Sequence, residues 1–256
     1  MENAIIRSAL DTTTTMDIYI PREKTSDKAI VIFPGGAYYH RTEHEGKAYA
    51  EFLNENGYLC FVVNYAVTSE KQFDFPTPLL DARAAIRYVR HNAQKFGVAK
   101  NQIYVMGSSA GGHLAALCST CREIFKDEDK ELYFEEDFLP NGQILAYPVI
   151  KLYGKYSHIS SAKGLLGKLY SKENCKKYSP DVTAKKGTPK AFVFHTSEDG
   201  AVDFNNSLIY CSKLKKIGTP VELHVYPFGK HGSGLAGHIE RTRNWTDALL
   251  KWLSEM

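Results

Sequence analysis

At 256 residues, with 43% hydrophobic and 24% charged side chains, the chain has the balance of a soluble globular protein with one sizeable core. A net charge of +3 is too small to argue for a nucleic-acid partner. Five cysteines, an odd number, argue against a disulfide framework, and no stretch approaches the ~20 apolar residues of a membrane span.

The N-terminal MENAIIRSALDTTTTM lacks the apolar centre of a secretory signal, so a cytoplasmic protein is expected. MDIYI (16–20) alternates like a half-buried strand, and KAIVIFP (28–34) reads as a buried strand feeding a loop. A helix over 45–56 stops at Gly57, and YLCFVVNY (58–65) is the next strand. Residues 79–97 carry Leu79, Ala82, Ile86, Val89 and Ala93 on one helical face and end on glycine. The strand 102–106, a glycine–serine turn and the helix AGGHLAALCSTC follow. Cys118 and Cys121 in that helix read as packing residues, since a redox thiol gains acidity at a helix start. Further strands are predicted over 142–150, 189–196 and 221–227, with helices over 205–217 and 240–254. Trp245, Leu249 and Trp252 share a face of the last helix. The alternation predicts an α/β fold, a mostly parallel sheet of about eight strands with helices on both faces. Residues 151–188, rich in Lys, Tyr, Ser and Gly, break it and read as a small cap inserted into a single domain of 1–256. The lysines of 163–190 read as a solvated face of that insertion.

Ligands of an open parallel sheet bind beyond the carboxyl ends of its strands. At one such end, Gly107-Ser108-Ser109-Ala110-Gly111 matches G-x-S-x-G with Ser109 at the centre. The pattern needs small neighbours because the serine sits on a sharp strand-to-helix turn. It aims the Ser109 hydroxyl off the sheet and sets the Ala110 N–H at a helix start, where it can hold an oxyanion. Ser108 has the wrong glycine spacing. A serine needs a base. Downstream, HTSEDGAVD offers Asp199 and PFGKHGSGL offers His231, each after a strand, in the order Ser, Asp, His. Glu198 and Asp203 are rivals for the acid, and His238 for the base. His195 and His224 lie in or beside strands and read as core or supporting groups. In Pro34-Gly35-Gly36-Ala37-Tyr38-Tyr39, the N–H groups of Gly36 and Ala37 are candidates for a second oxyanion donor. Tyr38, Tyr39 and Tyr147, with Val202 of the acid loop, are candidate substrate contacts. His44-Glu45 fails the H-E-x-x-H zinc pattern at Ala48, and neither G-x-G-x-x-G nor a Walker A sequence occurs, so neither metal nor cofactor is expected.

Together FPGGAYYHRTEHEG, PLLDARAAIRYVR, GSSAGGHLAA, HTSEDGAVDFNNSL and VELHVYPFGKHGSGLA resemble the α/β-hydrolases, among them the small bacterial acetyl-esterase and acetylxylan-esterase-like enzymes. The resemblance implies an α/β-hydrolase fold and metal-free hydrolysis of short acyl esters by Ser109, Asp199 and His231. A small, perhaps sugar-based ester, such as an acetylated xylo-oligosaccharide, is the expected substrate. Ala37 replaces the third glycine of the usual oxyanion loop, Pro34 a histidine of the wider lipases, Ala66 a frequent arginine and Asp203 a frequent proline. An amide hydrolase, an arylformamidase or small peptidase, would use the same triad. A non-catalytic module on the scaffold would be marked by a lost triad member, and none is lost. The oligomeric state is left open, a homodimer included.

Overall fold

The computed structural model describes residues 2–6, 13–124, 133 and 135–256. Eight strands form one sheet: β1 (Glu2–Ile5), β2 (Thr15–Tyr19), β3 (Ala29–Phe33), β4 (Leu59–Asn64), β5 (Ile103–Ser108), β6 (Gly142–Ala146), β7 (Lys190–Thr196) and β8 (Val221–Tyr226). Their order across the sheet is β1-β2-β4-β3-β5-β6-β7-β8. β2 runs antiparallel to both its neighbours, β1 and β4, and the remaining pairs are parallel. β1, inside the N-terminal stretch, carries no periodic signal and is found only through its pairing with β2.

Period-two alternation splits each central strand between two cores. Val31, Phe33, Val105 and Val193 face one layer, where they meet Leu79, Ile86 and Val89 of α2 (Thr77–His91) and Leu114 and Leu117 of α4 (Ser109–Thr120). Tyr210 and Leu214 of α8 (Asn205–Lys216) complete that layer. Ile30, Ile32, Tyr104, Met106, Phe192 and Phe194 face the other layer, against Tyr49 and Leu53 of α1 (Glu43–Glu55) and Trp245, Leu249 and Trp252 of α9 (Trp245–Ser254). Trp245 stacks on Phe194 with ring centroids 4.6 Å apart. All five cysteines are buried free thiols.

Three predicted elements are shorter than expected. The helix over 79–97 breaks at Asn92, whose Nδ2 donates to the Tyr88 carbonyl, and a four-residue α3 (Ala93–Phe96) then ends on the left-handed Gly97. The strand over 142–150 stops at Ala146, because Tyr147 takes a φ of +37° and Pro148 has no N–H to give the ladder. The last helix starts at Trp245, after a 3-10 turn at Thr242–Asn244.

Residues 151–188 carry three short helices: α5 (Ile159–Leu166), α6 (Lys172–Lys177) and α7 (Pro180–Thr183). Their apolar residues, Ala162, Leu165, Leu166 and Tyr178 among them, join the core layer of α2 and α4, while Lys163, Lys168, Lys172, Lys176 and Lys177 face solvent. A Cβ on Gly164 would lie 2.1 Å from the Ala37 carbonyl oxygen, so α5 rests directly on the loop after β3.

Candidate active site

The loops after β3, β5, β7 and β8 meet at the carboxyl end of the sheet. β5 delivers Ser109 on a turn with no spare volume. A Cβ on Gly107 would come within 2.2 Å of the Gly111 carbonyl oxygen, and one on Gly111 within 2.0 Å of that of Phe33. Both glycines of the motif are thus required by backbone approaching backbone. Ser109 itself has a φ of +53°, a conformation disfavoured for any residue with a Cβ. Ser108 points the other way: its hydroxyl is buried and donates to the Tyr49 hydroxyl at 2.9 Å.

Ser109 donates to His231 Nε2 at 2.8 Å, and His231 Nδ1–H donates to Asp199 Oδ2 at 2.7 Å. The second oxygen of Asp199 accepts the N–H groups of Ala201 and Val202, each at 2.9 Å. His195, fully buried on β7, brings Nε2 to 3.3 Å from Asp199 and also bonds the Val202 carbonyl. Burial alone would raise the Asp199 pKa. Hydrogen bonds from His195 and His231, the His231 charge and the Val202 N–H outweigh it and hold the carboxyl far below the usual carboxylate range. The arrangement can move a proton from hydroxyl to imidazole while the carboxylate fixes the tautomer and carries the opposing charge.

The rival acids are occupied elsewhere, and His238 is exposed beyond the triad. Glu198 accepts the Gly229 N–H, and Asp203 accepts from Asn205 at the start of α8. His224 pairs with Glu222 on the β8 edge. His195 is a buried support for the acid.

The three oxyanion candidates lie on the two segments that meet at Ser109. Ala110 is the second residue of α4, where a backbone N–H has no intrahelical acceptor. A Cβ on Gly35 would lie 3.0 Å from Ser109 Cβ, which sets the Gly35–Ala37 loop against the nucleophile. Gly36 and Ala37 take φ of +123° and +54°, and among the described residues no acceptor meets either N–H.

The expected substrate contacts need correction. Tyr38 and Tyr147 are buried, at 0% and 1% exposure, so neither ring can reach a solvent-borne ligand. Tyr38 bonds His113 Nδ1, and Tyr147 bonds Glu45. Val202 is equally enclosed and serves Asp199 through its backbone. Of the four, only Tyr39 is exposed. Sequence reasoning also passed over Glu45, 2% exposed behind the Gly35 loop. The signal was there: Glu45, Tyr49 and Leu53 share one helical face, so an acid stood on an apolar stripe. His158, which caps α5, feels the site too. Its pKa is lowered by burial and then by the charge of His231.

Comparison with known proteins fits this geometry. Residues 16–214 match the BD-FAE family model, a span holding the Gly35–Ala37 loop, Ser109 and Asp199. The chain belongs to the BD-FAE family. Its fold is the α/β-hydrolase fold, with TM-score 0.87 and 37% identity to an acetyl ester-xyloside bifunctional hydrolase from Caldicellulosiruptor lactoaceticus. That alignment covers 95% of this chain and 88% of the other. An acetylxylan esterase from Xylanibacter ruminicola is 31% identical over 94% of this chain and 48% of its own length. Endo-1,4-beta-xylanase B of Butyrivibrio fibrisolvens is 31% identical over 85% of this chain and 34% of its own. The chain thus spans between a third and a half of these two curated relatives. Among the described residues no helix is long and apolar enough to cross a membrane.

Proposed function

We propose that this protein is a serine esterase that removes acetyl or other short acyl groups from small esters, with acetylated xylo-oligosaccharides as the substrate class. The observation that carries the reading is the unbroken hydrogen-bonded chain Ser109–His231–Asp199 on a strained strand-to-helix turn. In this reading Ser109 attacks the acyl carbon as His231 takes its proton. The N–H groups of Gly36, Ala37 and Ala110 hold the oxyanion. His231 then protonates the leaving alcohol, and water activated by the same imidazole cleaves the acyl-enzyme. Similarity to an acetylxylan esterase and an acetyl ester-xyloside hydrolase supports the choice of acyl group and of sugar.

Residues 151–188 act in this reading as a cap over the acyl site, supported by the packing of α5 on Ala37. A cytoplasmic location is supported by five free thiols, which suit a reducing compartment. A homodimer belongs to the same reading, supported by the open edge of β8 with exposed Val225 and Phe228, and sedimentation tests it.

Hydrolysis of an aryl acetate by the purified protein and by Ser109→Ala tests the reaction. Turnover in the first and none in a folded second is expected, and equal turnover in both would overturn the assignment. Acetylated xylo-oligosaccharides are then compared with N-formylkynurenine and short peptide amides, where preference for the amides would replace ester with amide hydrolysis.

A further inference from the structure

Behind the site lies a buried polar network that no step of the proposed reaction uses. Glu45 Oε2 accepts the Gly35 N–H at 2.9 Å, and Oε1 accepts the Tyr147 hydroxyl at 2.8 Å. The Tyr147 oxygen in turn accepts the Gly234 N–H at 3.0 Å and lies 3.0 Å from the Tyr49 hydroxyl. Tyr49 accepts from Ser108 at 2.9 Å. Proton accounting fixes the direction. The hydrogen of Tyr147 goes to the carboxylate, so Tyr49 donates to Tyr147 and Ser108 to Tyr49. Burial raises the pKa of both phenols, so both keep the hydrogens this chain needs.

The ends of the network matter more than its middle. Gly35 opens the oxyanion loop, Ser108 precedes the nucleophile, and Gly234 lies three residues past the base. The Tyr147 ring stands edge-on to His231, with centroids 5.2 Å apart. The oxyanion loop does not hold its shape by local preference, since Ala37 and Tyr38, both with a Cβ, have φ of +54° and +65°, while the loop of the base turns at Gly232 and Gly234, whose φ of +78° and +58° glycine adopts freely. A buried carboxylate costs desolvation that apolar packing would avoid, so stability alone does not account for one here.

We propose that Glu45, acting through Tyr147 and the Gly35 N–H, is a positioning residue: it sets the separation between the oxyanion donors and the histidine base. The inference rests on the esterase reading above. Tyr147→Phe removes one hydroxyl and keeps the ring. Glu45→Gln leaves one acceptor where two are needed.

Steady-state kinetics with an aryl acetate test it, alongside thermal unfolding and titration of the reactive serine with a fluorophosphonate. In each variant kcat per titrated serine should fall about 10- to 100-fold with KM within about threefold, the scale of a catalytic group displaced by about 1 Å. The double variant should fall no further than the worse single one, because both sit in one chain of bonds. Unchanged kcat in either folded variant overturns the proposal, as does a loss explained wholly by fewer titratable serines. If Glu45→Gln does not fold, Tyr147→Phe decides alone. An inactive wild-type protein, or an active Ser109→Ala, overturns the esterase reading and this inference with it.

Discussion

Asp199→Asn is the sharpest test of the catalytic geometry. The Ala201 and Val202 N–H groups both demand an acceptor, so the amide oxygen must take the place of Oδ1. The new NH2 group then faces His231 Nδ1 and His195 Nε2. His231 can meet a donor only by moving its own proton to Nε2, where it points at Ser109 and leaves no base. The charge effect has a similar size. An imidazolium facing a carboxylate at 2.7 Å gains about 6 kcal/mol at an effective dielectric of about 20. A neutral amide forfeits most of that. The expected loss in kcat is about 10³- to 10⁴-fold, or about 4–5.5 kcal/mol, for an aryl acetate at neutral pH. Melting curves establish that the variant is folded. A loss below tenfold would refute the assignment of Asp199. The substitution has a signature in stability too. The folded-state pKa of Asp199 lies below the unfolded one. Its carboxylate therefore stabilises the fold above about pH 4 and ceases to do so as the pH falls, a dependence the asparagine variant lacks.

Two further substitutions probe the scaffold. His113 is wholly buried, its Nε2–H on the Tyr178 carbonyl and its Nδ1 accepting from Tyr38, and burial pushes its pKa down to about 4. The unfolded state therefore binds this proton first, so its stability contribution is complete above about pH 6.5 and falls by about 3 kcal/mol as the pH drops through about 4. Urea titrations at pH 7 and pH 4.5 should show this loss in the wild type and not in His113→Gln, and an equal loss in both would refute it. Gly111→Ala drives a Cβ to 2.0 Å from the Phe33 oxygen and 2.5 Å from that of Pro34. It should cost about 1–3 kcal/mol in stability. It should also lower kcat, since the same strand end leads into the oxyanion loop, and wild-type stability and turnover would refute the account.

Much of this protein was legible in the sequence, because local periodicity records burial. Strands such as AIVIF and LCFVV, whose faces both meet apolar layers, read as continuous apolar runs, and G-x-S-x-G records a turn where only glycine fits. The order Ser, Asp, His along the chain placed Ser109, Asp199 and His231 at three strand ends that the structure brings together. The rest depended on partners far away in the chain. Strand order, and β1 as a strand at all, follow from pairing rather than pattern. Glu198, Asp199 and Asp203 stand close together in the chain, and only the fold decides that Asp199 is the one that meets His231. Tyr38 and Tyr147 follow the same loops that a substrate contact would, yet their hydroxyls are claimed by His113 and Glu45, 75 and 102 residues distant. Residue type and spacing determine which groups are available. The direction a loop side chain takes is decided by the buried partner that satisfies its polar atom, and only the folded chain supplies that partner.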